Sequence, residues 1–426
     1  LPVWPGATPA FFHTTFHTFS LGDSPLKCIS LPYGVDDPLI LEVSARASAE
    51  ELGGPLGVAA ADAENRVARA LSAPVGGPPL VSHIVPGDRV VVAVCGDLPQ
   101  FVPVVAAVGQ ELTRGGVDAA DLTILQAPPL DIATGSEAGG VPEGWRGFDA
   151  TVDADTSYLA ADNRGEPLYL ARALVDADVV IAIGVWAWDS ALGGRSPEGE
   201  LWPTFSRLTS RQAFTRQLTR RGRRALPEWR SEMEEIRWQL GLCASLRLVA
   251  GRNGSLAEAV FGLPEVAAAQ ARGLSAPWRP TVAKAAGLAI ASLADPRGSL
   301  AGLTRAVAAA ARVTSAQATI CVAAKHLETP GLIFSRWRQG APLEPLVREA
   351  VSTGDVELMA DALQTRLFAR ALGERRLVLL SDLGEDTVED LEFGFAATPE
   401  VVERLAHRAS SLVVLHEADR LLPTLA

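Results

Sequence analysis

Runs of strand length rich in Val, Ile and Leu alternate with helical patterns along most of this chain, and that alternation restricts the fold more than any other feature. The clearest strands are residues 89–95, 121–126, 178–184, 318–323, 376–381 and 411–416. They show little polar alternation, so both faces of each are expected to be covered, as in a parallel sheet. Between them, helical periodicity spans 61–71, 101–114, 205–221, 230–240, 300–311, 355–372 and 399–408. Strand and helix in turn are the signature of βαβ units. At 426 residues the chain exceeds what one hydrophobic core organises. The expected architecture is α/β, with two domains of mainly parallel, helix-covered sheets and a ligand cleft between them. A shift of composition at residues 275–280 marks the boundary. This gives an N-terminal extension at 1–24, an N-terminal α/β domain at 25–275 and a C-terminal α/β domain at 276–426.

Open α/β sheets bind ligands beyond the carboxyl ends of their strands, so the loops there carry the candidate chemistry. The first loop is Gly96-Asp97-Leu98-Pro99-Gln100. The second runs over 127–135 and contains Asp131. The third, 185–196, contains Trp186, Trp188, Asp189 and Gly193-Gly194-Arg195-Ser196. Adjacent glycines after a buried strand let the backbone approach a ligand or take positive φ, and they equally serve a tight connection. Asp97, Asp131 and Asp189 could share a proton or hold a hard cation, while an aspartate after a strand also caps the following helix. Arg195 reads as an anion binder or as an exposed loop arginine. Trp186 and Trp188 read as a pocket cover or as core. In the second domain, Lys325 and His326 follow a strand and are placed at the cleft. His13 and His17 have i, i+4 spacing but no third ligand nearby, so no metal site is expected. No GxGxxG follows a strand, and neither a Walker lysine loop nor a GxSxG elbow occurs.

The formal charge of −12 argues against a broad phosphate-binding surface, so no nucleic-acid partner is expected. The one basic stretch, Arg216 to Arg224, lies in a helical pattern followed by Glu232, Glu234 and Glu235, and reads as a solvated helix face. Four scattered cysteines form no CxxC pair, which suits a reducing cytoplasm. The Phe-rich segment 1–20 lacks a basic n-region and a long apolar core, making it a poor signal peptide. No uncharged apolar stretch reaches the roughly 20 residues of a membrane span. A homo-oligomer is compatible with all of this.

The order of several short segments resembles the nickel-dependent lactate racemase family. The likeness runs through Leu31-Pro32-Tyr33-Gly34, residues 70–76, Pro86-Gly87-Asp88-Arg89 with the strand after it, the Gly115-Gly116-Val117 turn and Ala177-Asp178 with its strand. Residues 377–381 and 398–406 extend it, so it covers about residues 25 to 425. The resemblance implies a two-domain α/β scaffold around a nickel-pincer nucleotide. It also implies an arginine at the position of Gln100, which holds the substrate, and a histidine near Asp131. In the third loop it implies a histidine near Trp186 and a lysine at Ser196 that anchors the cofactor, with a further histidine near Gln212. This chain departs at each of these positions. Gln100 supplies no charge, an indole does not shuttle protons at neutral pH, and a serine does not make the covalent link. The expectation is a divergent lactate racemase-like protein that binds a small, anionic metabolite between its domains without the pincer cofactor. Its expected contacts are Gln100, Trp186, Gly193, Gly194, Arg195 and Ser196. The alternatives are an isomerase or lyase acting on a hydroxy-acid-like substrate through Asp97 or Asp131 with Lys325 or His326, and a noncatalytic regulatory or structural subunit.

Overall fold

A computed structural model describes residues 26–34, 38–44, 48–126, 144–162, 165–295 and 297–426. Two six-stranded sheets organise them. In the first sheet the strands lie in the order Leu256–Gly262, Ala244–Ala250, Val179–Val185, Val90–Val94, Leu122–Gln126 and Trp145–Gly147. Only the first of these runs antiparallel to its neighbour. The second sheet is parallel throughout, in the order Gly394–Phe395, Arg376–Leu380, Thr314–Ala323, Ala286–Ser292, Ser411–Leu415 and Ser48–Leu52. Val90–Val94 is buried along its whole length, as its unbroken apolar run requires.

Several helices lie where the periodicity placed them, whereas Pro264–Leu274, Leu332–Arg338 and Leu343–Thr353 were not expected. Phe101–Arg114 and Pro399–Arg408 match their expected bounds, and Leu300–Arg312 is longer by a single residue. The hydrophobic core is shared between the halves: one cluster joins Trp186, Trp188 and Val249 of the first to Leu303, Val307 and Leu421 of the second.

The described residues begin in the second half. The antiparallel pair Leu26–Pro32 and Pro38–Ser44 buries Ile29, Leu31, Leu39, Leu41 and Val43 in one cluster with Leu288, Ile290 and Leu412. The strand Ser48–Leu52 then pairs with Ser411–Leu415. Ser48–Leu52 therefore completes the C-terminal sheet and the Leu26–Pro32 and Pro38–Ser44 pair packs on it, although the sequence places both in the N-terminal domain. Local periodicity records that a segment is amphipathic, not which distant surface it will cover. The 1–24 extension lies outside the described residues.

Each sheet has a topological switch point. From Val90–Val94 the first sheet grows one way to Leu122–Gln126, and Val179–Val185 is then added on the other side. From Ala286–Ser292 the second sheet grows through Thr314–Ala323, and Ser411–Leu415 later joins the opposite edge. Such a reversal opens a crevice beyond the strand ends.

Candidate functional site

Asp97 stands at the first switch point, within electrostatic range of charges that follow the strands of the second. It follows Val90–Val94 by three residues, and the carboxyl is reached by solvent. Surrounding protein nevertheless raises its pKa above the usual aspartate range through desolvation, and Asp295 and Glu198 add to the effect while Arg297 and Arg420 oppose it. Asp295 and Arg297 follow Ala286–Ser292, and Arg420 follows Ser411–Leu415. Charges from both halves thus act on one carboxylate. Asp97 does not cap the following helix: Gln100 occupies the N-cap position in a left-handed conformation, with no side-chain cap.

The seam around Asp97 is polar and ordered. Arg305 Nη1 binds Glu198 Oε1 at 2.7 Å. The buried Asp419 accepts from the Ala294 N–H at 2.7 Å, and burial raises its pKa against the pull of Arg305 and Arg420. Glu417, at φ 52, accepts from the Asn253 N–H of the first half and holds Arg420 at 3.1 Å. Two residues at positive φ, Glu417 and Asn253, so join across the seam.

The third loop forms a hairpin in which Trp188 opposes Arg195 and Asp189 opposes Gly194. Gly193 takes φ 71, and its N–H donates to the Asp189 carbonyl at 2.8 Å. The buried Asp189 carboxylate accepts from the Leu192 N–H at 2.7 Å and shapes the turn, although burial raises its pKa. The hairpin is packed into the seam. Trp188 Nε1 donates to Ser275 Oγ at 3.0 Å, and Ser190 Oγ donates to the Leu421 carbonyl at 2.5 Å. Trp186 and Trp188 lie edge to face at 6.0 Å, both buried in the shared core. Arg195 is neither an exposed loop arginine nor open to the cleft: it lies over the Trp186 ring at 4.3 Å and is ion-paired with the buried Glu200. Ser196 is also buried, its hydroxyl accepting from the Glu198 N–H at 3.2 Å.

The other expected contacts separate. Gln100, an expected ligand contact, turns its amide to the backbone, donating to the Val58 carbonyl at 2.9 Å and accepting from the Leu256 N–H at 3.2 Å. Asp131 lies outside the described residues. His326 Nδ1 faces Asp382 Oδ2 at 3.3 Å at the ends of two neighbouring strands, both side chains about half exposed. The Lys325 side chain packs on Gly34, which has φ 79 and no Cβ to obstruct it. Asp97 is acted on by Asp295, Glu198, Arg297 and Arg420, while Lys325 and His326 sit one strand away from the second switch point. No group of three His, Cys, Asp or Glu side chains poised for a metal ion occurs among the described residues.

Sequence reasoning missed Glu198, Glu200, Arg237, Arg247, Asp295, Arg297 and Arg420. One signal was available: Arg247 interrupts the apolar run Leu246-Arg247-Leu248, and an arginine inside a buried strand demands a partner. Glu200 is that partner. Its Oε2 accepts from Arg247 Nη2 at 2.7 Å and Arg237 Nη2 at 2.6 Å.

No protein-family model matches the chain, and no curated protein matches it. Solved structures do. The lactate racemase apoprotein from Thermoanaerobacterium thermosaccharolyticum is 16% identical, with a TM-score of 0.71 over 93% of this chain and 100% of that one. A structural-genomics target from Thermotoga maritima is 12% identical, with a TM-score of 0.62 over 88% of this chain and all of its own. This chain has a lactate racemase-like α/β fold, and no helix among its described residues is long and apolar enough to cross a membrane.

Proposed function

We propose that this chain is a divergent protein of the lactate racemase fold that binds a small, anionic metabolite in the cleft between its sheets, without nickel-pincer chemistry. The observation that carries this reading is that charges from both halves act on Asp97 at the first switch point. A ligand bearing a carboxylate and a hydroxyl suits that set of charges. Its carboxylate would be drawn to Arg297 and Arg420, and its hydroxyl to Asp97. The third loop does not fit the pincer nucleotide. Ser196, where the resemblance puts the anchoring lysine, is a buried hydroxyl engaged by the Glu198 N–H, in a hairpin packed against the other half. A reducing cytoplasm suits the four free cysteines.

The test is a thermal-shift titration with lactate, glycerate and malate. At least one should raise Tm saturably, and Arg420→Gln should weaken its apparent Kd about tenfold, the loss of one charge-assisted contact. No shift with any of them overturns the reading. Nickel or a covalent nucleotide adduct, found by intact mass and metal analysis after expression beside pincer-synthesis enzymes, overturns its second half. The burial of Trp186 and Trp188 in the shared core favours a second reading, a noncatalytic subunit held together by this seam. An isomerase or lyase acting through Asp97 has that carboxyl's raised pKa in its favour, and exchange of a substrate C–H into deuterated water would reveal it.

A further inference from the structure

Beneath the glycine hairpin, three guanidinium groups surround one carboxylate. Arg195, Arg237 and Arg247 all pair with Glu200, and the side chains of Arg237, Arg247 and Glu200 are 7%, 2% and 2% exposed. The cluster lies at the carboxyl end of the first sheet. Arg247 shares a face of its strand with Ser245, opposite Leu246 and Leu248, and is paired with Gly184 of the adjacent strand. A Cβ at Gly184 would collide with the Gly199 carbonyl, which itself accepts from Arg247 Nη1 at 2.9 Å. Arg237 comes from the helix Leu226–Gln239, whose Trp229, Met233 and Ile236 cover the same layer as Val180 and Ala182.

The charges do not balance. Arginine stays protonated in proteins, so three positive groups face a single negative one. Arg230 on one side and Glu234 and Glu265 on the other act from farther out, and the positive excess remains when they are counted. Cys95 lies within reach of Arg237 and Arg247, but burial pushes its thiol up to about 12, so it brings no negative charge. The hydrogen-bonding inventory is lopsided in the same sense. Arg237 Nε, Arg247 Nε and Trp186 Nε1 are buried donors without an acceptor, and the buried Ser245 hydroxyl is also unpartnered. Burying such donors and an uncompensated charge is costly. A species that only accepts, and is negative, satisfies both deficits together. Water answers one of them.

We propose that this cluster is a buried binding site for a small inorganic monoanion of halide size, held by Arg237 and Arg247 and closed over by Arg195. It is separate from the Asp97 cleft and does not depend on a metabolite binding there.

Bromide is the probe. Crystals grown in sodium bromide should show an anomalous peak in contact with the Arg237 and Arg247 guanidinium groups. At constant ionic strength, replacing gluconate with bromide should raise Tm saturably, as ligand linkage requires. Glu200→Gln increases the positive excess at nearly constant shape, so it should tighten the apparent bromide Kd about tenfold, whereas Arg237→Met should weaken it by a similar factor. A merely structural ion network would not give opposite responses in the two variants. Wild-type protein without an anomalous peak at the cluster, or with equal Tm in bromide and gluconate, overturns the proposal whether or not the variants fold.

Discussion

Asp97 shows what a single residue gains from its position. Solvent reaches its carboxyl, yet surrounding protein and the charges of Asp295 and Glu198 disfavour ionisation. Its pKa is therefore higher in the folded chain than in the unfolded one. Below the ordinary aspartate value of about 4, both states are protonated and the group costs nothing. As pH rises through that value, the unfolded state ionises first and stability falls, until the folded carboxyl ionises too. Asp97→Asn removes this penalty. Its Tm should match wild type at the acid end and exceed it increasingly as pH climbs above about 4, levelling once the folded group has titrated. A Tm difference that is the same at every pH would mean that Asp97 ionises freely in the fold.

At the scale of elements, the glycines of the first half divide into those that permit a conformation and those that permit a contact. Gly193 needs φ 71, whereas Gly194 has open space around it and Gly184 lies against the Gly199 carbonyl. Gly194→Ala should leave stability unchanged within error. Gly193→Ala should cost about 1 kcal/mol through its left-handed backbone, and Gly184→Ala about 3 kcal/mol through overpacking. Urea unfolding midpoints of the three variants give the order directly; equal values for Gly184 and Gly194 would contradict the close approach.

These elements also show what a sequence can reveal. Val179–Val185 and Arg376–Leu380 were legible because dense Val, Ile and Leu mark a doubly covered strand. Ala244–Ala250 and Ala286–Ser292 were not, since an arginine interrupts one and Ala with Gly dilutes the other, although both lie inside their sheets. The candidate site divided in the same way. Strand ends located Asp97 and the hairpin, but the partners of Asp97 come from loops about 100 to more than 300 residues away, brought close only by packing of one half on the other. For Gln100 the loop position was visible in the sequence, while the Val58 and Leu256 groups it bonds were not.

For the molecule as a whole, the shared core sets how the two sheets come apart. Trp186 and Trp188 belong to a cluster containing Leu303, Val307 and Leu421, and Arg305–Glu198 and Asn253–Glu417 add polar ties around it. Two bodies joined by a wet, polar contact would be expected to move and unfold separately. A contiguous apolar core makes each half part of the other's stability. Tryptophan fluorescence and far-UV circular dichroism should therefore follow one coincident urea transition in the wild type. Trp188→Ala deletes a buried aromatic and its bond to Ser275, a loss of about 3–5 kcal/mol, and should split that transition. The segment 26–52 offers the complementary test, because it precedes the first sheet in the chain yet covers the second. Removing residues 1–52 uncovers Leu288, Ile290 and Leu412 and opens the edge of Ser411–Leu415. An exposed apolar face and a free strand edge favour aggregation. Truncated protein should pellet on refolding while full-length protein stays in solution. A truncated chain that refolds with an unchanged midpoint would show that the second sheet does not need its N-terminal strand.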